Sequence, residues 1–383
     1  MRLGTRAMRA ACARAGDPQD ALRVVHVAGT NGKGSVSAMV EAAGRAAGLR
    51  TGLYTSPHLC RFAERIRVDG EPEGDDALAS YLGRALAEAE LSFFEVATLA
   101  ALLAFRDRGV ELAVLEVGIG GRLDATNVVA RPAASAITRV ALDHTDKLGR
   151  TTREIAWEKA HVAKPGAPLV LGPLDPDALG AARRVAEERG ARVVLAMDDG
   201  DAARFAAAAS LALAGDFQRD NARVAHVLCA AAGLPRDASE RGIAAATWPG
   251  RLEAIDTAEG RWLLDGAHNP DGAAALARAL AHAPPAALVF GALADKPALA
   301  MLDLVAPLTS HRVYVAPHGR PPTPPAILAA RHPGAIADDL PRALATARAA
   351  AGRGVVLVCG SLFLVGDARC RLLGLASDPV VAL

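Results

Sequence analysis

The sequence predicts an α/β protein built from a doubly wound, mostly parallel sheet followed by a second, smaller α/β unit. With 383 residues the chain is longer than one typical core. Short continuous apolar runs alternate with Ala- and Leu-rich helical stretches, as expected for parallel strands covered on both faces. A Pro-Gly pair within 247–251 ends the first series of runs. We therefore predict domains at 1–248 and 249–383.

Composition and charge argue against several classes of protein. Hydrophobic residues make up 51% and charged residues 22% of the chain, which is ordinary for a soluble globular protein. The net charge of +1, without a long run of one sign, argues against a nucleic-acid or membrane surface. No apolar run approaches the ~20 residues that span a bilayer. The arginine-rich start lacks the apolar core of a secretory signal and is predicted to be an exposed helix. We expect a cytoplasmic protein.

Two scarce residue types carry information. The five cysteines are odd in number and scattered without a C-x-x-C, which indicates reduced thiols and neither a disulfide framework nor a zinc site. Lysine is rare beside arginine, so each lysine is a candidate for chemistry that a guanidinium cannot perform. The cysteines are Cys12, Cys60, Cys229, Cys359 and Cys370, and the lysines are Lys33, Lys147, Lys159, Lys164 and Lys296.

In the first unit, apolar β-branched runs predict strands, and alanine-rich stretches between them predict helices. Loops at the carboxyl ends of such strands, here 29–35, 118–127 and 143–149, are where ligands bind in doubly wound sheets. The predicted strands are Val24–Ala28, Leu112–Val117, Ala134–Thr138, Leu169–Gly172 and Val193–Ala196, and the predicted helices include Ser37–Ala47, Asp76–Glu90 and Glu95–Arg108.

The second unit repeats the alternation on a smaller scale and is predicted to be Rossmann-like. A proline-rich stretch at 319–325 predicts a rigid, extended loop inside it. The predicted strands are Arg261–Leu264, Ala287–Phe290, Arg312–Ala316 and Val355–Cys359.

The segment 24–37, VVHVAGTNGKGSVS, is the most informative stretch of the chain. It predicts a strand, a glycine-rich loop and a helix start, whose backbone N–H groups can cradle anionic oxygens. Lys33 adds a charge for outer phosphates, and Ser35 adds a hydroxyl for a phosphate or Mg²⁺. The order G-T-N-G-K-G-S differs from the common G-x-x-x-x-G-K-[ST] loop, but the first sheet is still expected to be P-loop ATPase-like. The competing interpretation is a turn that binds nothing.

Two further predicted strand ends have side chains that could bind a metal ion. Glu116 ends a buried strand beside the phosphate loop, where a carboxylate can hold Mg²⁺; the alternative is an ion pair with Arg122. Asp143 and His144 end another strand, where the imidazole is either a metal ligand or structural. Lys159, on a predicted helix starting near residue 152, points back towards this region. It forms an ion pair, or reacts with CO₂ to give a carbamate that can bind metal.

Paired amides and an inter-domain loop complete the candidates. Gln218 and Asn221, at i and i+3 on a helix, share one face that suits either a purine edge or solvent. Arg251 lies at the predicted hinge, where it could swing onto a phosphate. Asp265 ends a strand, with His268 in the following turn.

These segments, taken in order, resemble the folylpolyglutamate synthases, and especially the bifunctional dihydrofolate synthase/folylpolyglutamate synthases of the Mur ligase superfamily. The resemblance covers nearly the whole chain. It rests on GTNGKGS (29–35), TSPHL (55–59), ERIRVDG (64–70), FFE (93–95), EVGIGGRLDATN (116–127), LDHTDKLG (142–149), EKA (158–160), WPGRLE (248–253) and LDGAHNP (264–270).

The resemblance implies ATP-dependent amide formation in folate biosynthesis and one-carbon metabolism. The carboxylate of dihydropteroate or of a folyl-glutamate attacks the γ-phosphate, and the amine of L-glutamate displaces phosphate from the acyl phosphate. ATP and Mg²⁺, in two sites, are the implied cofactors, with K⁺ as a further ion, and the chain is expected to be a monomer. A synthase acting on folylpolyglutamates alone, a cell-wall Mur ligase and a non-catalytic nucleotide-binding protein are the alternatives.

The resemblance also implies roles by position. Lys159, in carbamylated form, together with His268 and Lys33, is implied in catalysis. Nucleotide contacts are implied for Asn31, Gly32, Lys33, Gly34, Ser35, Asn221, Arg251 and Asp265. A pterin pocket is implied for Phe93, Phe94, Glu95, Leu123, Asp124 and Ala125, and metal ligation for Ser56, Glu116 and His144.

The chain departs from the family pattern at three motifs and at its start. It has EKAHV, with His161, for EKAGI; GDFQ, with Phe217, for GxHQ; and DKP at 295–297 for DKD. The family also has an extra helix before the segment at 3–6. The phosphate loop is unaffected by these departures.

Overall fold

A computed structural model describes residues 4–88 and 90–378. Within these residues the first sheet has eight strands in the order β4-β3-β2-β5-β1-β6-β7-β8. The strands from β2 to β8 in this order run parallel, while β3 and β4 form an antiparallel edge. The strands are β1 (Val24–Ala28), β2 (Thr51–Tyr54), β3 (Ile66–Val68), β4 (Glu71–Pro72), β5 (Leu112–Glu116), β6 (Ala134–Ile137), β7 (Pro168–Leu171) and β8 (Arg192–Leu195).

Helices cover both faces of this sheet, because its central strands are apolar on both sides. One face packs on the helices that begin at Lys33 and Phe217, and the other on those that begin at Arg6 and Phe93. The helices are α1 (Arg6–Arg14), α2 (Lys33–Ala46), α3 (Asp75–Leu86), α4 (Phe93–Asp107), α5 (Thr145–Leu148), α6 (Thr152–Ala160), α7 (Pro176–Glu188), α8 (Gly200–Ala208), α9 (Phe217–Ala231) and α10 (Arg236–Ala245).

The second sheet has six strands in the described residues, in the order β13-β12-β11-β14-β10-β9, and only β9 runs antiparallel to its neighbour. Its strands are β9 (Glu253–Thr257), β10 (Gly260–Asp265), β11 (Ala287–Phe290), β12 (Arg312–Tyr314), β13 (Ala335–Ile336) and β14 (Val356–Cys359). Its helices are α11 (Pro270–Leu280), α12 (Ala298–Val305), α13 (Pro325–Arg331), α14 (Leu340–Ala351) and α15 (Leu362–Leu373). The predicted pair of α/β units, the larger one first, is confirmed.

Helix α1 differs from its prediction. Met8, Ala11 and Cys12 are buried against the first sheet, so the helix presents only one face to solvent. Among the helices of residues 4–88 and 90–378, none combines the length and apolarity needed to cross a membrane.

The prediction of five separate thiols is wrong for two of them. The structure joins Cys60, in the loop after β2, to Cys370, on α15, with their Cα atoms 6.1 Å apart. The two residues are 310 positions apart in sequence. Cysteine spacing therefore could not reveal the pair, which only the packing of α15 onto the first unit brings together. Cys12, Cys229 and Cys359 are free and buried.

Candidate active site

The candidate site is a cleft of roughly 550 Å³ between the two sheets, a size usual for small-molecule sites. The carboxyl ends of β1, β2, β5 and β6 border it from the first sheet, and the end of β10 borders it from the second. Parallel strands bring their carboxyl ends to one edge, so the predicted loops converge as expected.

The phosphate loop links β1 to α2 and is held from behind. Thr138 Oγ1 donates to the Asn31 carbonyl at 2.6 Å, and the Thr30 N–H donates to the Arg139 carbonyl at 2.6 Å. Gly32 has φ 86°, a left-handed conformation that favours glycine. A Cβ on Gly34 would lie 2.7 Å from Trp248 Nε1, so the loop also needs glycine where the hinge packs on it. The first N–H groups of α2 are left to bind an anion.

Lys33 and Lys159 both bind backbone carbonyls of the phosphate loop. Lys33 Nζ donates to the Thr30 carbonyl at 3.1 Å, and Lys159 Nζ donates to the Gly29 carbonyl at 2.9 Å. Burial lowers the pKa of Lys33, with the Glu116 carboxylate opposing the shift. Burial, and then the charge of Lys33, lower the pKa of Lys159 to about 7. A large share of Lys159 is therefore an unprotonated amine at neutral pH.

The predicted metal ligands border the cleft together. The Ser56 N–H donates to Glu116 Oε2 at 3.2 Å. Burial raises the pKa of Glu116, and Lys33 offsets part of the rise. The alternative in which Glu116 pairs with Arg122 is wrong, since Arg122 binds Glu158 at 2.9 Å. His144 directly precedes α5 and has φ 50°; burial lowers its pKa to about 4, so its imidazole is neutral.

These residues fit Mg²⁺ in the way a nucleotide-dependent site does. The described residues hold no cluster of three His, Cys, Asp or Glu side chains suited to a metal. A dedicated protein cage is therefore not what the residues offer. Mg²⁺ is usually held by one or two carboxylates, waters and substrate phosphates, and a lone buried carboxylate beside a phosphate loop meets that requirement.

The amide pair on α9 faces inward, so the solvent-facing alternative is wrong. Gln218 is fully buried, and its Nε2 donates to Ser35 Oγ at 3.2 Å. Asn221 Nδ2 donates to Gln218 Oε1 at 2.8 Å. Asn221 also borders the cleft, and a Cβ on Gly32 would lie 2.5 Å from its Oδ1. Gln218 thus supports the phosphate loop, and part of the Asn221 side chain borders the cleft.

Arg251 and Asp265 lie where the hinge meets β10. Asp265 accepts the N–H groups of Leu252 and Ala267, both at 2.9 Å, and burial raises its pKa. Leu252 has φ 45°, and the Asp265 carboxylate secures this turn. Arg251 borders the cleft with Nη1 3.2 Å from the Gly250 carbonyl. Asp265 thereby fixes the backbone next to Arg251, whose side chain borders the cleft.

A polar network across the cleft joins the two sheets. Asn31 Nδ2 donates to Asn269 Oδ1 at 3.1 Å and to Asp271 Oδ2 at 2.8 Å. Arg139 pairs with Asp271 at 2.9 Å. Asn269 Nδ2 donates in turn to Asp143 Oδ2 at 3.2 Å. The phosphate loop is therefore hydrogen-bonded directly to the second unit.

Lys296 has no role predicted from the sequence, although it is one of only five lysines. Its Nζ lies 2.5 Å from Asp143 Oδ1, and both side chains are 8% exposed. Burial alone would raise the pKa of Asp143, but the surrounding cations, led by Lys296, hold that pKa well below its usual range. The rarity of lysine was a signal, but nothing in sequence pairs Lys296 with a residue 153 positions away.

His268 lies beside this ion pair in a defined protonation state. Its Nδ1 is 2.8 Å from the Gly266 carbonyl, which can only accept, so the ring proton is on Nδ1. Burial and the charge of Lys296 lower its pKa to about 4. The neutral ring leaves Nε2, which is 3.8 Å from Asp143 Oδ2, with a free lone pair.

None of the six residues predicted for a pterin pocket borders the main cleft; they group beside it, around the start of α4 and the 118–125 loop. Phe93 is 39% exposed, and its ring meets that of Phe62 edge-on at 5.7 Å between centroids. The Phe94 ring packs closely on Gly118, where an added Cβ would lie 2.6 Å from it. Leu123 and Ala125 belong to the 118–125 loop.

Two of the six are occupied by local hydrogen bonds. Glu95, 2% exposed, accepts from the Ser92 N–H and hydroxyl at 2.8 and 2.7 Å and so completes the capping box of α4. Asp124, also 2% exposed, accepts the N–H groups of Gly118 and Ile119, both at 3.0 Å. Both carboxylates are therefore engaged by local groups in the described structure, and their part in a pterin pocket stays a prediction.

Two family models match this chain: "Mur ligase middle domain" over residues 27–229 and "Mur ligase, glutamate ligase domain" over residues 250–362. A Halobacterium salinarum protein named probable bifunctional folylpolyglutamate synthase/dihydropteroate synthase is 41% identical over 96% of this chain. The chain spans about half (49%) of that relative's length. A Lacticaseibacillus casei folylpolyglutamate synthase is 37% identical over 94% of this chain and 92% of its own.

Solved structures show the same arrangement. Escherichia coli FolC, in complex with DHPP and ADP, superposes with a TM-score of 0.85 at 30% identity, over 98% of this chain and 94% of that one. A bifunctional folylpolyglutamate synthase/dihydrofolate synthase with Mn, AMPPNP and L-glutamate bound gives a TM-score of 0.86 at 31% identity, over 97% and 95%.

Proposed function

The chain belongs to the Mur ligase family of ATP-dependent amide-bond-forming ligases, and from this premise we propose that it adds L-glutamate to dihydropteroate and to folyl-(poly)glutamates. The observation that carries the proposal is the cleft itself. The phosphate loop borders one side, the segment from Asp265 to Asp271 borders the other, and Asn31 bridges them. Two relatives that match 95% of this chain carry the names of both activities.

In the proposed reaction, the acceptor carboxylate attacks the γ-phosphate of ATP to give an acyl phosphate and ADP, and the glutamate amine then displaces phosphate. Asn31, Gly32, Lys33, Gly34 and Ser35 would hold the phosphates. Asn221, Arg251 and Asp265 would face the rest of the nucleotide across the hinge. Lys33 would balance charge on the transferred phosphoryl group.

Ser56, Glu116 and His144 would hold Mg²⁺, which supplies charge neutralisation for phosphoryl transfer when bound. Lys159, as an unprotonated amine, is suited to form a carbamate that holds a second Mg²⁺. The free Nε2 of His268 is placed to accept a proton from the incoming glutamate amine. K⁺ binding, a monomeric state and a cytoplasmic location stay predictions.

The acyl acceptor would lie against Phe93 and Phe94, with Leu123, Asp124, Ala125 and Glu95 shaping the wall. Phe93 has the exposed ring that can stack on a pterin or on an aminobenzoate. We place the domain boundary at 248/249, between the last helix before the hinge and β9.

Phosphate release from ATP with Mg²⁺ tests the proposal. The two acceptors are dihydropteroate and tetrahydrofolate, each with L-glutamate, and Lys33→Met is the matched inactive control. Release with both acceptors is the expected result. Release with tetrahydrofolate alone would leave the narrower activity, that of a folylpolyglutamate synthase without dihydrofolate synthase activity. No acceptor-dependent release would contradict the folate assignment.

A further inference from the structure

Cys60 and Cys370, which the structure joins in a disulfide, have no part in the proposed reaction. We propose that this pair is a redox modification site, at which oxidation bonds the two domains together and prevents the opening that catalytic turnover requires. The inference rests on the proposed function for its effect on turnover. The site itself rests on the geometry of the two residues.

The two residues belong to different domains yet lie within bonding reach. Cys60 ends the loop after β2 in the first domain, and Cys370 is on α15 in the second. Their Cα atoms are 6.1 Å apart, inside the range of about 4.4–6.8 Å that disulfides span. The oxidised pair is therefore compatible with the backbone arrangement described above, in which the bond is present.

The loop that carries Cys60 is held by hydrogen bonds and borders the cleft. The Glu64 carboxylate accepts the N–H groups of Leu59, Cys60 and Arg61 at 2.9, 3.0 and 3.0 Å. Four residues before Cys60, the Ser56 N–H donates to Glu116. The segment that carries Cys60 therefore also carries a residue proposed to hold Mg²⁺.

The second domain rests closely on this loop. A Cβ on Gly366, one turn before Cys370, would collide with the Leu59 carbonyl oxygen. Beyond α15 the chain returns to the first domain, where Asp378 accepts the Phe62 N–H at 2.6 Å and donates its own N–H to the Cys60 carbonyl at 2.9 Å. These contacts can separate when the cleft opens, whereas a covalent bond cannot.

The surroundings favour thiol chemistry at Cys60. Arg369 Nη1 lies 3.9 Å from Cys60 Sγ, and Glu253 holds Arg369 through its Nε at 3.0 Å. A neighbouring guanidinium stabilises a thiolate, the form that reacts with disulfides. Cys60 and Cys370 are 4% and 7% exposed, so a reagent reaches them when α15 and the loop part.

The chemistry balances with a small disulfide such as oxidised glutathione. The Cys60 thiolate attacks one sulfur of the reagent, forms a mixed disulfide and releases one thiol. The Cys370 thiolate then attacks the Cys60 sulfur and releases the second thiol. The protein loses two electrons and two protons, and the reagent gains both as two thiols.

The test compares full-length protein treated with oxidised glutathione or with a phosphine reductant. Differential alkylation and mass spectrometry measure the Cys60–Cys370 bond. We expect turnover of the oxidised protein to fall at least about tenfold while ATP affinity changes little, since the bond restricts motion and leaves the phosphate loop intact. Cys370→Ser should abolish the response, and Cys229→Ala, a buried free cysteine in α9, should retain it.

Hydrogen exchange of the hinge amides at 248–252 provides a second measurement that needs no turnover. Slower hinge exchange in the oxidised wild type than in Cys370→Ser supports the proposal. Absence of the bond after oxidation, or equal exchange and equal turnover with the bond formed, would overturn it. If the reduced protein is inactive, the proposed function fails, and hinge exchange still decides whether the bond restricts the domains.

Discussion

Lys159 is a buried lysine whose amine is partly unprotonated at neutral pH. It is 3% exposed, donates to the Gly29 carbonyl and has a pKa lowered to about 7 by burial and by Lys33. A compact neutral amine can add CO₂, whereas a guanidinium remains protonated. The chemistry proposed for the second Mg²⁺ depends on this difference.

Replacement of Lys159 tests that chemistry. We predict that Lys159→Ala lowers ligation by roughly 100-fold or more, because a charge-stabilising element of phosphoryl transfer is lost. Lys159→Arg should be no better, and ATP binding should persist in both variants. Steady-state kinetics and calorimetric ATP titration give the two readouts. Near-normal turnover in either variant is incompatible with a carbamate at this position.

The same pKa predicts how activity depends on pH and CO₂. Below about pH 7, Lys159 is increasingly protonated and cannot react with CO₂. Activity should therefore fall as pH decreases from 8 to 6. At fixed pH near 7, added bicarbonate should raise activity of a CO₂-depleted sample. A rate that ignores bicarbonate throughout this range would contradict the carbamate while leaving other titrating groups as the cause of any pH effect.

Sequence reasoning identified which residues gather at the cleft better than what each one does there. The phosphate loop, Ser56, Glu116 and His144 all border it. The role of Lys296 was not predicted, because an ion pair between distant segments leaves no local pattern in the sequence. Glu95 could have been recognised as a helix cap from its spacing to Ser92.

Helix α6 shows how a whole element positions one side chain. Its start is fixed by the capping box of Thr151 and Glu154. Its end packs on the 118–121 loop so closely that a Cβ on Gly121 would lie 2.7 Å from the Lys159 carbonyl oxygen and 2.9 Å from that of Glu158. Both neighbours are backbone, so they cannot yield by a side-chain rotation.

We predict that Gly121→Ala displaces α6, lowers the free energy of unfolding by about 1–3 kcal/mol through overpacking, and reduces turnover. Gly180→Ala is the control, since it lies in α7 with nothing within 4 Å of its Cβ. That change should be neutral, or should stabilise by up to about 1 kcal/mol, because alanine is the better helix former. Denaturant unfolding of both variants measures the difference; equal stability would contradict the packing argument.

Strand prediction succeeded where burial on both faces left a continuous apolar run. Val24–Ala28 and Ala287–Phe290 were predicted to the residue. The strands β2, β3, β4, β9 and β13 were missed. The last four lie at or next to a sheet edge, where strands are short and mix polar with apolar residues. Strand β2 is interior, but its four residues, TGLY, include a glycine that interrupts the apolar run. An edge strand forms because it pairs with a neighbouring strand, and the local sequence does not reveal that neighbour.

At the scale of the whole molecule, the polar contacts across the cleft couple the domains. The pair between Lys296 and Asp143 is buried from both sides. We predict that Lys296→Met lowers kcat at least about tenfold with little change in ATP affinity, since the uncompensated Asp143 carboxylate weakens closure.

Thermal unfolding provides the structural control for this variant. Lys296→Met should lose stability, by an amount on the order of 3 kcal/mol. The double change Lys296→Met with Asp143→Asn should recover part of it, because no buried charge is then left alone. A kcat equal to that of the wild type in Lys296→Met would show that the pair is not needed for closure.

The central claim is that the cleft makes an amide through an acyl phosphate. Dihydropteroate labelled with ¹⁸O in its carboxylate, incubated with ATP, Mg²⁺ and L-glutamate, tests this most directly. We predict that the inorganic phosphate formed carries one ¹⁸O atom from the acceptor, because the carboxylate oxygen that attacked the γ-phosphate leaves with it. Phosphate free of ¹⁸O, formed alongside glutamylated product, would contradict the acyl-phosphate route.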